Sequence, residues 1–210
     1  MELSNPLRSV VPTVDADVLS VLARSHAPLT GLRVQQLAGR SYGQVRAVLH
    51  RLVVHGLVLH ERHGSTTSYV LNRDHLLAGP VEEMAGATAA LEVEIRDMVD
   101  GWPLPPSAML VFGSFARRDG DESSDLDLLL VRPPDVEADE PRWIAQREAL
   151  VQTVERRSGN RAQIVELSTS ELDEAVRRDE PLVAALRRDS VVLTGAAPAL
   201  ARRPAPFTPV

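Results

Sequence analysis

The stretch Gly113–Val131, GSFARRDGDESSDLDLLLV, decides the reading of this 210-residue chain. It follows the apolar run Ala108–Phe112 (AMLVF), which reads as a buried strand, and opens with a Gly-Ser corner and a short helical segment, Phe115–Arg118. The acidic turn Asp119–Ser124 leads into a second strand, Asp125–Val131. Residues i and i+2 of a strand share a face, so Asp125 and Asp127 point the same way and are placed to share divalent cations. At Gly113 the missing side chain lets a phosphate approach the backbone amides, Ser114 adds a hydroxyl, and Arg117 adds a charge that cannot be neutralised. Carboxylate-held Mg²⁺ or Mn²⁺ beside a phosphate cradle implies phosphoryl or nucleotidyl transfer.

Gly-Ser, ten intervening residues and Asp-x-Asp at the head of an apolar strand together resemble the signature of the nucleotidyltransferase superfamily, particularly its minimal members. The resemblance covers roughly residues 100–194. It implies a small mixed sheet flanked by helices, with a helix from Asp139 to Arg157, a strand Arg161–Leu167, a helix capped by Ser170 and a last strand Ser190–Leu193. It further implies that Gly113 and Ser114 hold a triphosphate, that Asp125 and Asp127 hold two metal ions, and that a third carboxylate on a neighbouring strand helps activate the attacking hydroxyl. This chain departs from the pattern there. In Arg161–Leu167 (RAQIVEL) the position just before the apolar pair Ile164-Val165 is Gln163, which accepts no proton and gives a metal less charge. Glu166, three residues on, falls on the opposite face of a regular strand, and Asp121 or Glu122 are the other acids close enough in sequence to stand in.

Upstream, the periodicity is helical three times. Val14, Val18, Val21 and Leu22 mark a first helix. Thr30 caps a second that carries Leu32, Val34 and Leu37 to a stop at Gly39, and Ser41 caps a third with the stripe Val45, Val48, Leu49, Leu52 and Val53, ending at Gly56. The period then changes to two in Leu57–Arg62 and Ser68–Leu71, which flank the polar turn His63–Thr67 and read as a hairpin. Three helices and a hairpin in this order resemble a winged helix-turn-helix domain. That resemblance implies duplex DNA as partner, with Gln44, Arg46, His50 and Arg51 on the third helix and Arg62 and His63 on the wing. The chain as a whole is therefore expected to be α/β (α+β): a winged helix over 1–75, a helical connector over 76–101, a nucleotidyltransferase-like domain over 102–194 and a Pro/Ala-rich tail over 195–210. A single long helix is expected in the connector, its apolar stripe serving as core or as a homodimer seam.

Composition narrows the chemistry. With 44% apolar and 25% charged residues the chain is globular, and with 3% aromatics it has few rings for stacking single-stranded bases. There is no Cys, and all 23 basic residues are Arg, which removes thiolate zinc sites, Cys nucleophiles, P-loop lysines and Schiff bases together. The net charge of −6 is uneven. Residues 1–75 hold eight Arg, five acids and all six His, net +3, and the remainder nets −9. A basic first module suits a polyanion. No apolar run reaches the length of a membrane span and the start lacks a signal-peptide core, so a cytoplasmic protein without a membrane partner is expected. Three functions fit: Mg²⁺-dependent transfer of a nucleoside monophosphate from a nucleoside triphosphate to a hydroxyl on a protein, RNA or small molecule; a non-catalytic winged-helix transcriptional regulator whose second module senses nucleotide or mediates assembly; and an antitoxin-type minimal nucleotidyltransferase.

Overall fold

A computed structural model describes residues 1–200. They form two compact units, Glu2–Ala90 and, from Leu91 on, a second that includes Met1. In chain order the elements are α1 (Val14–Ala23), β1 (Leu29–Thr30), α2 (Gly31–Ala38), α3 (Tyr42–Val54), β2 (Val58–His63), β3 (Thr66–Leu71), α4 (Ala78–Ala85), α5 (Ala87–Asp100), β4 (Ala108–Phe112), α6 (Gly113–Arg117), β5 (Leu126–Arg132), α7 (Pro141–Ser158), β6 (Ala162–Ser168), α8 (Thr169–Arg177), α9 (Pro181–Asp189) and β7 (Val191–Gly195). The chain is thus mixed α/β, with two sheets and nine α-helices among the described residues. No described helix is long and apolar enough to cross a membrane. Of the expected tail, residues 201–210 lie outside the described residues.

In the first unit the caps act where the sequence puts them. Thr30 accepts from the Arg33 N–H at 3.2 Å, Gly39 ends α2 with φ +64°, and Ser41 and Gln44 form a reciprocal capping box at the start of α3. Val45, Val48, Leu49 and Leu52 of α3 are buried against Val18 and Leu22 of α1 and Val34 of α2. Leu32 and Leu37, expected on the apolar face of α2, are instead 58% and 50% exposed, because an eight-residue helix turns only the face of Val34 inward. The hairpin is tighter than its sequence suggests. His63 pairs with Thr66, leaving the two-residue loop Gly64-Ser65 with Gly64 at φ +62°, the left-handed conformation that such turns require. The sheet order is β1-β3-β2, all antiparallel.

The single long helix expected after residue 76 is two helices, α4 and α5, broken at Gly86, where an added Cβ would crowd the Glu82 carbonyl at 3.2 Å. In the second unit the sheet order is β6-β5-β4-β7. β5 runs antiparallel to β4 and parallel to β6, and β7 completes the edge beside β4. Leu126 and Leu128–Leu130 of β5 and Ala108–Val111 of β4 are all buried, as strands covered on both faces must be. Leu172 and Ala175 of α8 and Val183 and Leu186 of α9 pack against Ala108, Leu110, Leu129 and Val131. Helix α9 is unexpected from the sequence, and the cap of α8 is Ser168 rather than Ser170, in a capping box with Glu171.

A buried charge that the sequence does not advertise holds the first unit together. Asp17, 4% exposed on α1, accepts from Arg8 at 2.6 Å, from Arg40 at 2.6 Å and from the Asn5 amide at 3.1 Å. Removing it strands two arginines that are themselves partly solvated, so Asp17→Ala is expected to cost about 2–3 kcal/mol, below the ~3–5 of a fully buried pair. Urea unfolding of the full chain checks this, and an unchanged midpoint contradicts it.

Candidate functional site

The corner between β4 and α6 and the start of β5 form one piece of structure. Phe112, the last residue of β4, pairs with Asp127, so the chain turns into α6 directly beside the Asp127 carboxylate. Gly113 makes that turn at φ +69°, and a Cβ there would lie 3.3 Å from the Asp127 Cγ and closer still to its Oδ2. Both the left-handed backbone and the approach of the carboxylate therefore demand glycine. The half-buried Ser114 follows in the first turn of α6. No side chain caps the leading backbone N–H groups of that helix at this corner.

Asp125 directly precedes β5 and Asp127 lies within it, two residues apart and both half-buried. Burial pushes the Asp127 carboxyl above the usual carboxylate range, the neighbouring Asp125 charge adds to the push, and Arg117 partly offsets it. Across the parallel ladder Gln163 of β6 is the register partner of Asp127, and its Nε2 donates to the Asp125 Oδ2. The amide thus partners Asp125 from a position in register with Asp127.

The other acids considered from the sequence are engaged elsewhere. Glu166 pairs with Leu130, turns away from Gln163 and accepts from Arg132 at 2.9 Å and Arg147 at 2.6 Å. Asp121 accepts from the Ser123 N–H and from the Ser123 and Ser124 hydroxyls at 2.8–3.0 Å, bonds that hold its carboxyl below the ordinary range, and Glu122 is exposed. Among the described residues no three His, Cys, Asp or Glu side chains gather as a metal-ligand cluster. Arg117 donates to Asp119 and to Asp189 of α9, both at 2.9 Å, which ties the end of α6 to α9. Sequence reasoning missed this tie along with α9. It also missed Asn160, 3% exposed, whose amide donates to the Ser124 carbonyl at 3.0 Å and the Glu122 carbonyl at 3.4 Å and so pins the loop that delivers Asp125. The only signal for Asn160 is its place after Gly159, the left-handed cap of α7.

In the first unit the residues predicted to face DNA differ in their commitments. Arg46 and His50 are exposed on α3, whereas Gln44 is held in the capping box and Arg51 is ion-paired with Asp15. At the hairpin Arg62 donates to the Gly64 carbonyl at 3.1 Å, and His63 lies 3.4 Å from Glu61. Tyr42 and Arg46, the start of α2, and Ser65–Thr67 with Tyr69 of the hairpin line a groove of about 610 Å³.

Residues 95–187, which contain Gly113, Ser114, Asp125, Asp127 and Gln163, match the sequence profile of the family described as Nucleotidyltransferase domain. No curated protein matches the chain. A solved toxin–antitoxin structure with AMP-PNP is 18% identical, with a TM-score of 0.35, over 52% of this chain and 77% of that one. Human N-acetylserotonin methyltransferase in complex with SAM is 14% identical, with a TM-score of 0.29, over 88% of this chain and 43% of that one.

The raised Asp127 carboxyl has a stability consequence. The folded state binds this proton more tightly than the unfolded chain, so the associated stabilisation is present at low pH and lost as pH rises through the raised value. In a chelator at neutral pH, Asp127→Asn is expected to unfold at a higher temperature than the wild type, with the gap closing below the ordinary carboxylate range. Scanning calorimetry across pH decides it, and a variant less stable than wild type at neutral pH contradicts the reading.

Proposed function

We propose that the second unit is a nucleotide site of nucleotidyltransferase type that takes a nucleoside triphosphate together with Mg²⁺ or Mn²⁺, and that the first unit is a winged helix that binds duplex DNA. The chain is then a DNA-binding regulator with a nucleotide-responsive module whose transfer reaction is slow. One observation carries the nucleotide reading: Asp127 lies against Gly113 of the Gly113-Ser114 corner, Asp125 sits two residues before it, and Gln163 pairs in register with Asp127 and donates to Asp125.

The donor set fits a hard divalent cation. The Asp125 charge lies close enough to add to the cost of ionising Asp127, and oxygen ligands of this kind suit Mg²⁺ shared with phosphates. Asp125 and Asp127 would hold it, and when bound it neutralises charge on the phosphates during transfer. The chain's own groups do the rest. The bare Gly113 backbone and the Ser114 hydroxyl face the triphosphate, and Arg117, oriented by Asp119 and Asp189, adds positive potential. In transfer an acceptor hydroxyl oxygen forms a bond to the α-phosphorus, the bond to pyrophosphate breaks, and pyrophosphate leaves. The hydroxyl proton needs a base, which Gln163 cannot be. The intact Gly-Ser corner and Asp pair favour a second reading, in which residual transfer to a protein or RNA hydroxyl is the physiological reaction.

Titration calorimetry with each nucleoside triphosphate is expected to show binding that requires Mg²⁺ and vanishes in Asp125→Asn/Asp127→Asn. Binding unaffected by chelator contradicts the site. With radiolabelled nucleotide, Gln163→Asp is expected to raise transfer, within the ~10²–10⁴-fold that general-base assistance supplies. Robust wild-type transfer unaffected by Gln163→Ala favours the enzyme reading instead.

The DNA reading is supported by the net +3 of residues 1–75 and by exposed Arg46, His50, Arg62 and His63. Duplex binding by the full chain is expected to weaken steeply with salt, because phosphate neutralisation releases counterions. Arg46→Ala with Arg62→Ala should lower the slope of log K against log salt by about 2. Arg51→Ala should lower it less, since Arg51 already pairs with Asp15. Equal slopes in wild type and the double variant contradict this placement.

A further inference from the structure

We infer that Gln163 restricts the nucleotide site to a single divalent cation, its amide N–H group occupying the place beside Asp125 that a second cation would need. The inference rests on the nucleotide-site reading and concerns how that site is loaded. Two divalent cations about 3.5–4 Å apart repel strongly and are held together only by anionic oxygens between them. Here Asp125 and Asp127 supply two negative charges, and the third position, in register beside Asp127, is neutral. The neutral side chain is also turned the wrong way for a cation. Its NH₂ group donates to the Asp125 Oδ2, and this is the only favourable orientation, because an amide oxygen there would oppose carboxylate lone pairs. A donor hydrogen satisfies Asp125 much as a cation would and repels a cation from the same place.

No other acid is available to restore the count. Glu166 is consumed by Arg132 and Arg147, Asp121 by its own serine turn, and no cluster of three ligating side chains exists among the described residues. One cation remains, held by the Asp pair and shared with the triphosphate. Such a site retains nucleotide while leaving the acceptor hydroxyl without the second charge that would help it ionise. Binding and transfer are thereby separated by a single side chain.

The test counts metal rather than turnover. Full-length protein is dialysed to equilibrium against Mn²⁺ and inorganic tripolyphosphate, a probe independent of the nucleotide base, and the Mn²⁺ and tripolyphosphate retained per chain are measured. Wild type is expected to retain one Mn²⁺, and Gln163→Asp or Gln163→Glu two. Residue 163 is exposed, so both variants should fold, which circular dichroism verifies. Two Mn²⁺ in the wild type, or one in both folded variants with tripolyphosphate still bound, overturns the single-cation inference while leaving the nucleotide site standing. Absence of retained Mn²⁺ from wild type and variants alike overturns the nucleotide site and the inference with it.

Discussion

The Gly113 backbone and the Asp127 carboxylate occupy neighbouring space with no room for a methyl group between them. That contact exists because Phe112 and Asp127 are register partners across β4 and β5, and the same register places Gln163 beside Asp127 across β5 and β6. A slip of one residue in either ladder would turn the carboxylates to the opposite face and break the corner at once. A slip would also carry the Asp127 carboxylate to the other covered face of β5, among Leu126, Leu128 and Leu130, where burying a charge is costly. Core packing and site chemistry are therefore set by the same pairing.

The site is built at some cost to stability. Two carboxylates lie two residues apart, and burial makes Asp127 ionise less readily than a solvated acid. The surroundings hold the arrangement from outside the pair: Asn160 fixes the carbonyls of the loop before Asp125, and Arg117 bridges Asp119 and Asp189. Groups beyond the pair thus fix the backbone that carries the two carboxylates. The first unit uses buried charge differently. Asp17 is fully partnered by Arg8, Arg40 and Asn5, and stabilises by complete satisfaction.

Much of this was legible in the residues. Gly113, Ser114, Asp125 and Asp127 announce themselves because a glycine corner and i, i+2 carboxylates on an apolar strand are local patterns, and Thr30, Gly39 and Ser41 because caps are local too. The position of Gln163 was readable from its place before Ile164-Val165, although its hydrogen bond to Asp125 was not, since that depends on the parallel ladder. Features fixed by distant partners were hidden. Asp17 looks like any helix acid until Arg8 and Arg40 converge on it, the bond from Arg117 to Asp189 depends on α9, and Asn160 is marked only by its place after Gly159. Helix α9 was missed although Pro181 opens it at its first position, where proline's missing N–H costs nothing. The break at Gly86 was missed because the apolar spacing runs through it.

The central claim is that a cation and a triphosphate meet at the junction of α6, β5 and β6. Paramagnetic broadening of backbone amide signals by Mn²⁺ in the presence of inorganic tripolyphosphate tests it directly. Signals of Gly113, Ser114, Asp125–Leu128 and Gln163 are predicted to broaden first. Broadening centred on another part of the chain, or none at all while the protein remains folded, would contradict the account.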